Sequence, residues 1–446
     1  MRLVNYLKGN WPELAIIALM LVDIFLRVLP VAPMILLIMA LQFFRLDIHS
    51  NIFLCLQSLL VFFGAAMNTM GISGLGGFVV IVGALLLIYS FMKGDTRISV
   101  NGMLSVIPLI AILLYFTISK SVSSGGDFAD QKLFLTAKTA LLSWVSFVVL
   151  FSNFKTTNTN LLGLYYILYA AYLLRLSIDA NTISGPAGLF DFAFMRVQSI
   201  ETLGYIPDVF NVGYQFPGFY VLQGIGLYLM RRHNDKAVPL FLFAIGLVII
   251  LYAGARQMII SIFLILLLWT VLHFKKTGWI IAAAMILALP VIYTASTSLS
   301  SLFESTVEEG YVEGGGRGLW LMAGVQLFLE NPVFGVGFGR YNLLGNYETY
   351  PHNLFVEVLC ETGIVGFIVI FAVFAASLLL GRKYIRRYLY YFAALFLMSM
   401  ASGGMYDNII LFTVVFAAMS FIPFTRRKKT VDESGRLQDC ALAQNN

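Results

Sequence analysis

The sequence predicts an all-α polytopic membrane protein of about twelve to fourteen transmembrane helices, and three observations predict it. Only 12% of the residues are charged, where a soluble domain carries roughly 25%. Apolar runs close to the roughly 20 residues that a span requires follow one another almost end to end. The basic residues fall in short clusters between those runs, on alternate connections. The net charge of +6 therefore reflects membrane orientation and does not point to nucleic acid.

Taken in order, the apolar runs place spans at about 12–27, 31–44, 51–66, 75–92, 102–118, 132–152 and 158–178. Further spans follow at about 216–230, 237–254, 257–274, 278–295, 353–380, 388–402 and 407–425. The first two are short enough to be re-entrant, which reduces fourteen to twelve. The start of the chain has a basic and then an apolar stretch like a signal peptide. It lacks a small-residue cleavage site, so it reads as a retained first span. Three cysteines, Cys55, Cys360 and Cys440, set out no disulfide framework.

Orientation follows from charge. With the N-terminus inside, twenty of the 29 lysines and arginines fall on cytoplasmic segments, among them Arg97, Lys155, Arg231, Lys236, Arg387 and the run at 426–429. That asymmetry is the positive-inside rule, and it puts both termini in the cytoplasm. The run at 426–429 reads as a stop-transfer anchor, and the polar tail after it predicts disorder. Three parts result: an N-terminal bundle at 1–178, a C-terminal membrane part at 179–425, and the tail at 426–446.

Two long connections, about 178–216 and 296–352, fall on the outer face. The second contains a Gly-Gly-Gly at 314–316 and then "RGLWLMAGVQLFLENP". Its 14 or so helical residues reach roughly 21 Å, too short to cross, so an interfacial helix ended by Pro332 is expected. Long loops of this kind are where membrane enzymes carry chemistry, although many are only surface decoration.

Four arginines fall on the wrong side for topology: Arg196, Arg256, Arg317 and Arg340. A cation at membrane depth costs about 2.5–3.5 kcal/mol on insertion scales, so each calls for an anion. Arg256 occupies a tight turn, "LYAGARQMII", with no acid near it in sequence. Arg317 opens the interfacial helix, where backbone N–H groups and the helix dipole favour negative charge. A guanidinium fork suits phosphate oxygens, so a diphosphate in the outer leaflet is the candidate ligand. Snorkelling to headgroups, or pairing with the loop glutamates, is the structural alternative. "GVGFGR" at 335–340 imitates a nucleotide loop, but no strand precedes it; as a close-packed turn beside a substrate it fits.

The stretch "YPHNLFVEVLCETGIVG" at 350–366 puts His352 at the outer mouth of a span. A neutral imidazole there can take a proton from a sugar hydroxyl; a structural histidine at the boundary is the plainer reading. Glu357 and Glu361 lie one turn apart and share a face, turned to the site or bonded to neighbouring helices. The outer loops show no His, Cys and Asp cluster of metal-ligand type.

The pair His352–Asn353, the "ETGIVG" after it, "NPVFGVGFG" and "RGLW" before it, and "YAGARQ" together resemble the O-antigen ligase and polymerase family over about residues 250–370. The resemblance implies a GT-C-like helical architecture and a metal-independent, inverting glycosyl transfer with no cofactor. It implies that Arg256 and Arg317 hold the donor diphosphate and that His352 is the base or orienting group for the acceptor. Arg196, Arg340, Asn353, Glu357 and Glu361 would be further substrate contacts. Where the family often has serine in the arginine turn, this chain has Ala-Gly-Ala-Arg at 253–256. The partners implied are an undecaprenyl-diphosphate-linked glycan as donor, a lipid-linked glycan or lipid A-core as acceptor, membrane lipids, and a chain-length regulator protein. The implied location is the bacterial inner membrane with a periplasmic site.

Two other classes compete. A transporter of polysaccharide or lipid-linked oligosaccharide would show repeats and ionisable groups at the midplane, and only Asp23, Lys138 and Arg175 are scattered that way. A scaffold leaves the outward arginines unexplained. Within the enzyme class a polymerase of surface polysaccharide is favoured over a ligase, because both long outer connections are apolar and aromatic enough to line two lipid entrances.

Overall fold

The computed structural model describes residues 97–123, 126–179, 216–231, 236–253, 257–274, 317–341, 350–400, 404–422, 427–431 and 437–441, with the single positions 18, 88 and 92. The spans expected before residue 97, that at 278–295, and most of both long connections lie outside the described residues.

The described membrane part is all-α. Its helices are α1 (Val100–Ser123), α2 (Gly126–Ser152), α3 (Thr159–Asp179), α4 (Phe216–Leu229), α5 (Ala237–Tyr252) and α6 (Gln257–Phe274). They continue with α7 (Arg317–Glu330), α8 (Leu354–Gly381), α9 (Ile385–Ser399) and α10 (Met405–Ala417). Each overlaps an expected span, although α2 starts six residues before 132 and α10 ends eight before 425, and α7 overlaps the expected interfacial helix. Among the described residues four helices are long and apolar enough to cross a membrane. Local signals set the ends. Ser99 caps α1 by accepting the Gly102 N–H at 2.9 Å, and α1 breaks once, at Ser105. A 3-10 turn, Arg382–Tyr384, separates α8 from α9.

Two packing centres hold the bundle. α4 lies among α3, α5 and α9, while α10 is wedged among α1, α2, α8 and α9. The α3–α4 crossing is made by two glycines. A Cβ on Gly163 would sit 2.5 Å from the Gly224 carbonyl oxygen, and one on Gly224 would sit 2.7 Å from that of Gly163. Small residues let helix backbones approach this closely, which is how membrane helices gain contact without a hydrophobic drive between them. Tyr391 ties α9 to α4 by donating to Gln223 Oε1 at 2.8 Å.

The two ends of the bundle differ in charge. At one end Arg231 Nη2 donates to the carbonyls of Phe154, Lys155 and Thr157 at 3.0, 3.1 and 2.6 Å. Arg387 covers the Phe154 and Phe421 rings there, and Asn101 donates to the Ile422 carbonyl at 3.0 Å. At the other end lie Ser119–Ser123 of α1, the glycine-rich loop after α7, and the start of α8. The basic segments that sequence assigns to one side of the membrane thus gather at one end.

The all-α description stops at the tail. Where composition predicts disorder, β1 (Arg427–Val431) pairs antiparallel with β2 (Leu437–Ala441), with Arg427 opposite Ala441 and Thr430 opposite Gln438. Two β-branched residues in β1 and a Ser-Gly pair between the strands supply hairpin chemistry that a polarity count overlooks.

The glycine crossing is testable. Gly224→Leu drives a side chain into the α3 backbone, and overpacking of this kind costs about 1–3 kcal/mol or more. The unfolding midpoint of purified protein in detergent should fall. Gly381→Ala should leave it nearly unchanged, because a Cβ there meets nothing closer than the Tyr388 hydroxyl at 3.4 Å.

Candidate functional site

The site grows from a break in α8. At Gly363 the backbone leaves the helix, with φ 64° and ψ −171°. In a continuous helix the N–H of Ile364 and Val365 would return to the carbonyls of Cys360 and Glu361. Here they donate instead to Pro332 O and Val333 O, at 2.9 and 3.2 Å. The released carbonyls are taken by the same loop: Cys360 O accepts from Val336 N–H at 2.8 Å and Glu361 O from Gly337 N–H at 2.9 Å. Thr362 O accepts from the Tyr115 hydroxyl of α1 at 3.2 Å.

Glycine is required on both sides of this exchange. A Cβ on Gly363 would lie 2.3 Å from Val333 O, and one on Gly335 would lie 2.5 Å from the Glu361 carbonyl carbon. The motif that resembled a nucleotide loop therefore spends its backbone N–H groups on α8, on Ser119 Oγ through Phe338 (3.1 Å), and on its own turn through Arg340.

A buried ion cluster fixes the same junction from α2. The Lys132 ammonium lies 2.6 Å from Glu357 Oε1 and 2.7 Å from Glu361 Oε1. Only the Glu361 contact is an aligned hydrogen bond; that to Glu357 is charge against charge. All three side chains are at most 2% exposed. The Gly339 N–H faces the Glu361 carboxylate, and the Lys132 ammonium also lies 5.1 Å from the centre of the Phe338 ring. Glu357 and Glu361, expected as substrate contacts, thus end on a lysine that the sequence reading did not single out.

His352 sits directly before α8 and, among the described residues, is the non-glycine residue with positive φ, 55°. That left-handed conformation is uncommon away from glycine and persists where its surroundings enforce it. The surroundings are aromatic. Its ring stacks on Trp320 of α7, with centroids 5.0 Å apart and planes 20° apart, while Tyr350 tilts against it at 4.6 Å. Tyr341, fully buried, donates to the Trp320 carbonyl at 2.7 Å and so fixes the platform. Asn353 caps α8 by accepting the N–H of Phe355 and Val356 at 3.0 and 3.2 Å, and donates to Met400 O at 3.0 Å. Its amide is occupied in holding the histidine's neighbour in place.

The structure therefore brings His352, Asn353, Glu357, Glu361 and Arg340 around one junction of α7, the glycine loop and α8. Residue 317 begins α7 one turn before Trp320, although only its backbone is described. Arg196 and Arg256 lie outside the described residues. α5 runs from Ala237, with Lys236 at its N-cap position, to its C-cap at Ala253. Sequence reasoning missed Lys132, Trp320 and Tyr341 as positioning residues. Lys132 stands at the edge of the expected span at 132–152, so the one sequence signal for it is a lysine beside an apolar span and two glutamates one turn apart on another, with nothing local to pair them.

A comparison with known families matches residues 241–371 to the O-antigen ligase family. The matched stretch begins in α5, takes in α6, α7 and the glycine loop, and ends in α8 beyond Gly363. A search of curated proteins finds no match.

The ion cluster carries a prediction. Lys132→Ala leaves two carboxylates buried without their cation, a loss that costs about 3–5 kcal/mol in buried pairs. Its unfolding midpoint should drop well below that of the triple variant Lys132→Met, Glu357→Gln, Glu361→Gln, which removes every charge together. Equal midpoints would mean that the cluster contributes nothing to holding α2 against α8.

Proposed function

From a segment of the O-antigen ligase family within a multi-pass membrane protein, we propose that this chain is a surface-polysaccharide polymerase. The match of residues 241–371 to that family supports a glycosyltransferase-like enzyme of lipid-linked glycans; the polymerase reaction, the donor and the residue roles are our reading. The observation that carries it is His352, held in a left-handed backbone conformation on an aromatic platform one turn from the start of α7.

The reaction joins a hydroxyl of one lipid-linked repeat unit to the anomeric carbon of a glycan on undecaprenyl diphosphate. The hydroxyl oxygen attacks from the face opposite the diphosphate, the C–O bond to the diphosphate breaks, and the configuration inverts. His352 takes the hydroxyl proton as general base. Charge developing on the departing diphosphate is met by Arg256 and Arg317, with Arg196 as a further contact, so no metal ion is required. Asn353 sets the start of α8, while Glu357 and Glu361 hold the glycine loop through Lys132. The end of the bundle that gathers Arg231 and Arg387 faces the cytoplasm of an inner membrane, and the His352 end faces the periplasm. The second reading is ligation to lipid A-core, favoured by the matched family being that of O-antigen ligases.

Purified protein given only undecaprenyl-diphosphate repeat units should build a ladder of longer lipid-linked products, and should do so in EDTA. His352→Ala should slow the ladder about 10²–10⁴-fold, the usual worth of general acid–base catalysis, with donor affinity nearly intact. Glycan that moves only onto added lipid A-core would replace polymerase by ligase.

A further inference from the structure

A second polar feature lies at the same end of the bundle, further along α7. A cavity of about 800 Å³ opens between the end of α1 and the glycine loop. Tyr115, Ser119 and Ser123 line one wall, and Phe334, Val336 and Arg340 the other. That volume falls within the roughly 300–1,000 Å³ range of small-molecule sites. Its mouth is apolar and exposed: Val122 is 84% exposed and Phe334 68%.

Arg340 is the cation at its floor. Its Nε is buried and has no hydrogen-bond partner among the described residues, and no described carboxylate pairs with the guanidinium. Glu330 also lines the cavity, but it is an exposed residue engaged with Gln326 at 2.9 Å. Arg340 is partly buried, and a guanidinium whose buried Nε has no partner favours an anion such as phosphate, whose oxygens match its fork. An apolar, membrane-facing mouth above such a floor fits a lipid with an anionic head.

We propose that this cavity holds the diphosphate of the acceptor, a second polyprenyl-diphosphate-linked glycan. The inference rests on the transfer reaction proposed above and says where its other substrate is anchored. Geometry chooses acceptor over donor. The cavity takes in Leu327 and Glu330, whereas His352 stacks on Trp320. Seven to ten residues along α7, at about 1.5 Å each, put the Leu327–Glu330 part of the cavity about 10–15 Å along the helix from Trp320. An acceptor needs such a separation, because its attacking hydroxyl and its diphosphate sit at opposite ends of the repeat unit. The diphosphate that leaves must instead lie at the reacting carbon, beside His352.

The test counts binding sites on the full-length protein in nanodiscs of phosphatidylcholine, titrated with radiolabelled undecaprenyl diphosphate. The wild type and His352→Ala should each bind two molecules. Arg340→Gln should bind one, and so should Val122→Trp, which fills the mouth from a position too exposed to disturb folding. In the ladder assay Arg340→Gln should raise the KM for the repeat unit at least about tenfold, the loss of one charge-assisted contact. A wild type that binds a single molecule overturns the acceptor site alone, as does a second molecule retained in both variants. Displacement of the second molecule by phosphatidylglycerol at comparable concentration would make the cavity a general anionic-lipid site and overturn the proposal. A wild type that binds none overturns the transfer reading as well.

Discussion

Inside a bilayer every backbone N–H and C=O must find a partner within the protein, and the break in α8 depends on meeting that demand. Opening a helix at Gly363 releases the N–H groups of Ile364 and Val365 and the carbonyls of Cys360 and Glu361. The loop after α7 supplies two carbonyls and two N–H groups in matching order. All four released groups are bonded, so the break costs little and the loop gains a fixed shape. His352, the Trp320 platform and the Arg340 cavity all take their places from that shape.

Charge and packing then hold the exchange in position from outside it. Lys132 belongs to α2, far from the family segment in sequence, yet its ammonium ends on both glutamates of α8. Tyr115 and Ser119 of α1 reach the Thr362 carbonyl and the Phe338 N–H. The family segment is therefore completed by two helices that lie before it in the chain. The first part of the chain, which lies before the matched stretch, supplies support for the site and one wall of the cavity.

Much of this was legible in the residues. Apolar runs located α1 to α6 and α8 to α10, with α2 and α10 off by six and eight residues at one end, because a span is an apolar run and composition alone reports it. The short α7 was legible from its length and from Pro332. His352 and Asn353 stood out as polar residues at the mouth of an apolar span. The rest was not legible, because it depends on pairing between distant segments. Lys132 reads as a boundary lysine until Glu357 and Glu361 are placed against it. Gly363 reads as one glycine among several, since nothing local says that its helix exchanges partners with residues 332–337. The tail hairpin escaped because a polarity count ignores strand pairing.

The crossed hydrogen bonds between residues 332–337 and 360–365 have a consequence for recombination between relatives. Neither segment can form its own structure without the other: a regular helix at 360–365 would reclaim the carbonyls that the loop uses, and a different loop would strand the groups of an opened helix. A chimera that joins this chain to another between residues 340 and 355 would separate the halves of one backbone unit. Both would have to be inherited together, as the strands of a sheet are, although in sequence they belong to a loop and a helix.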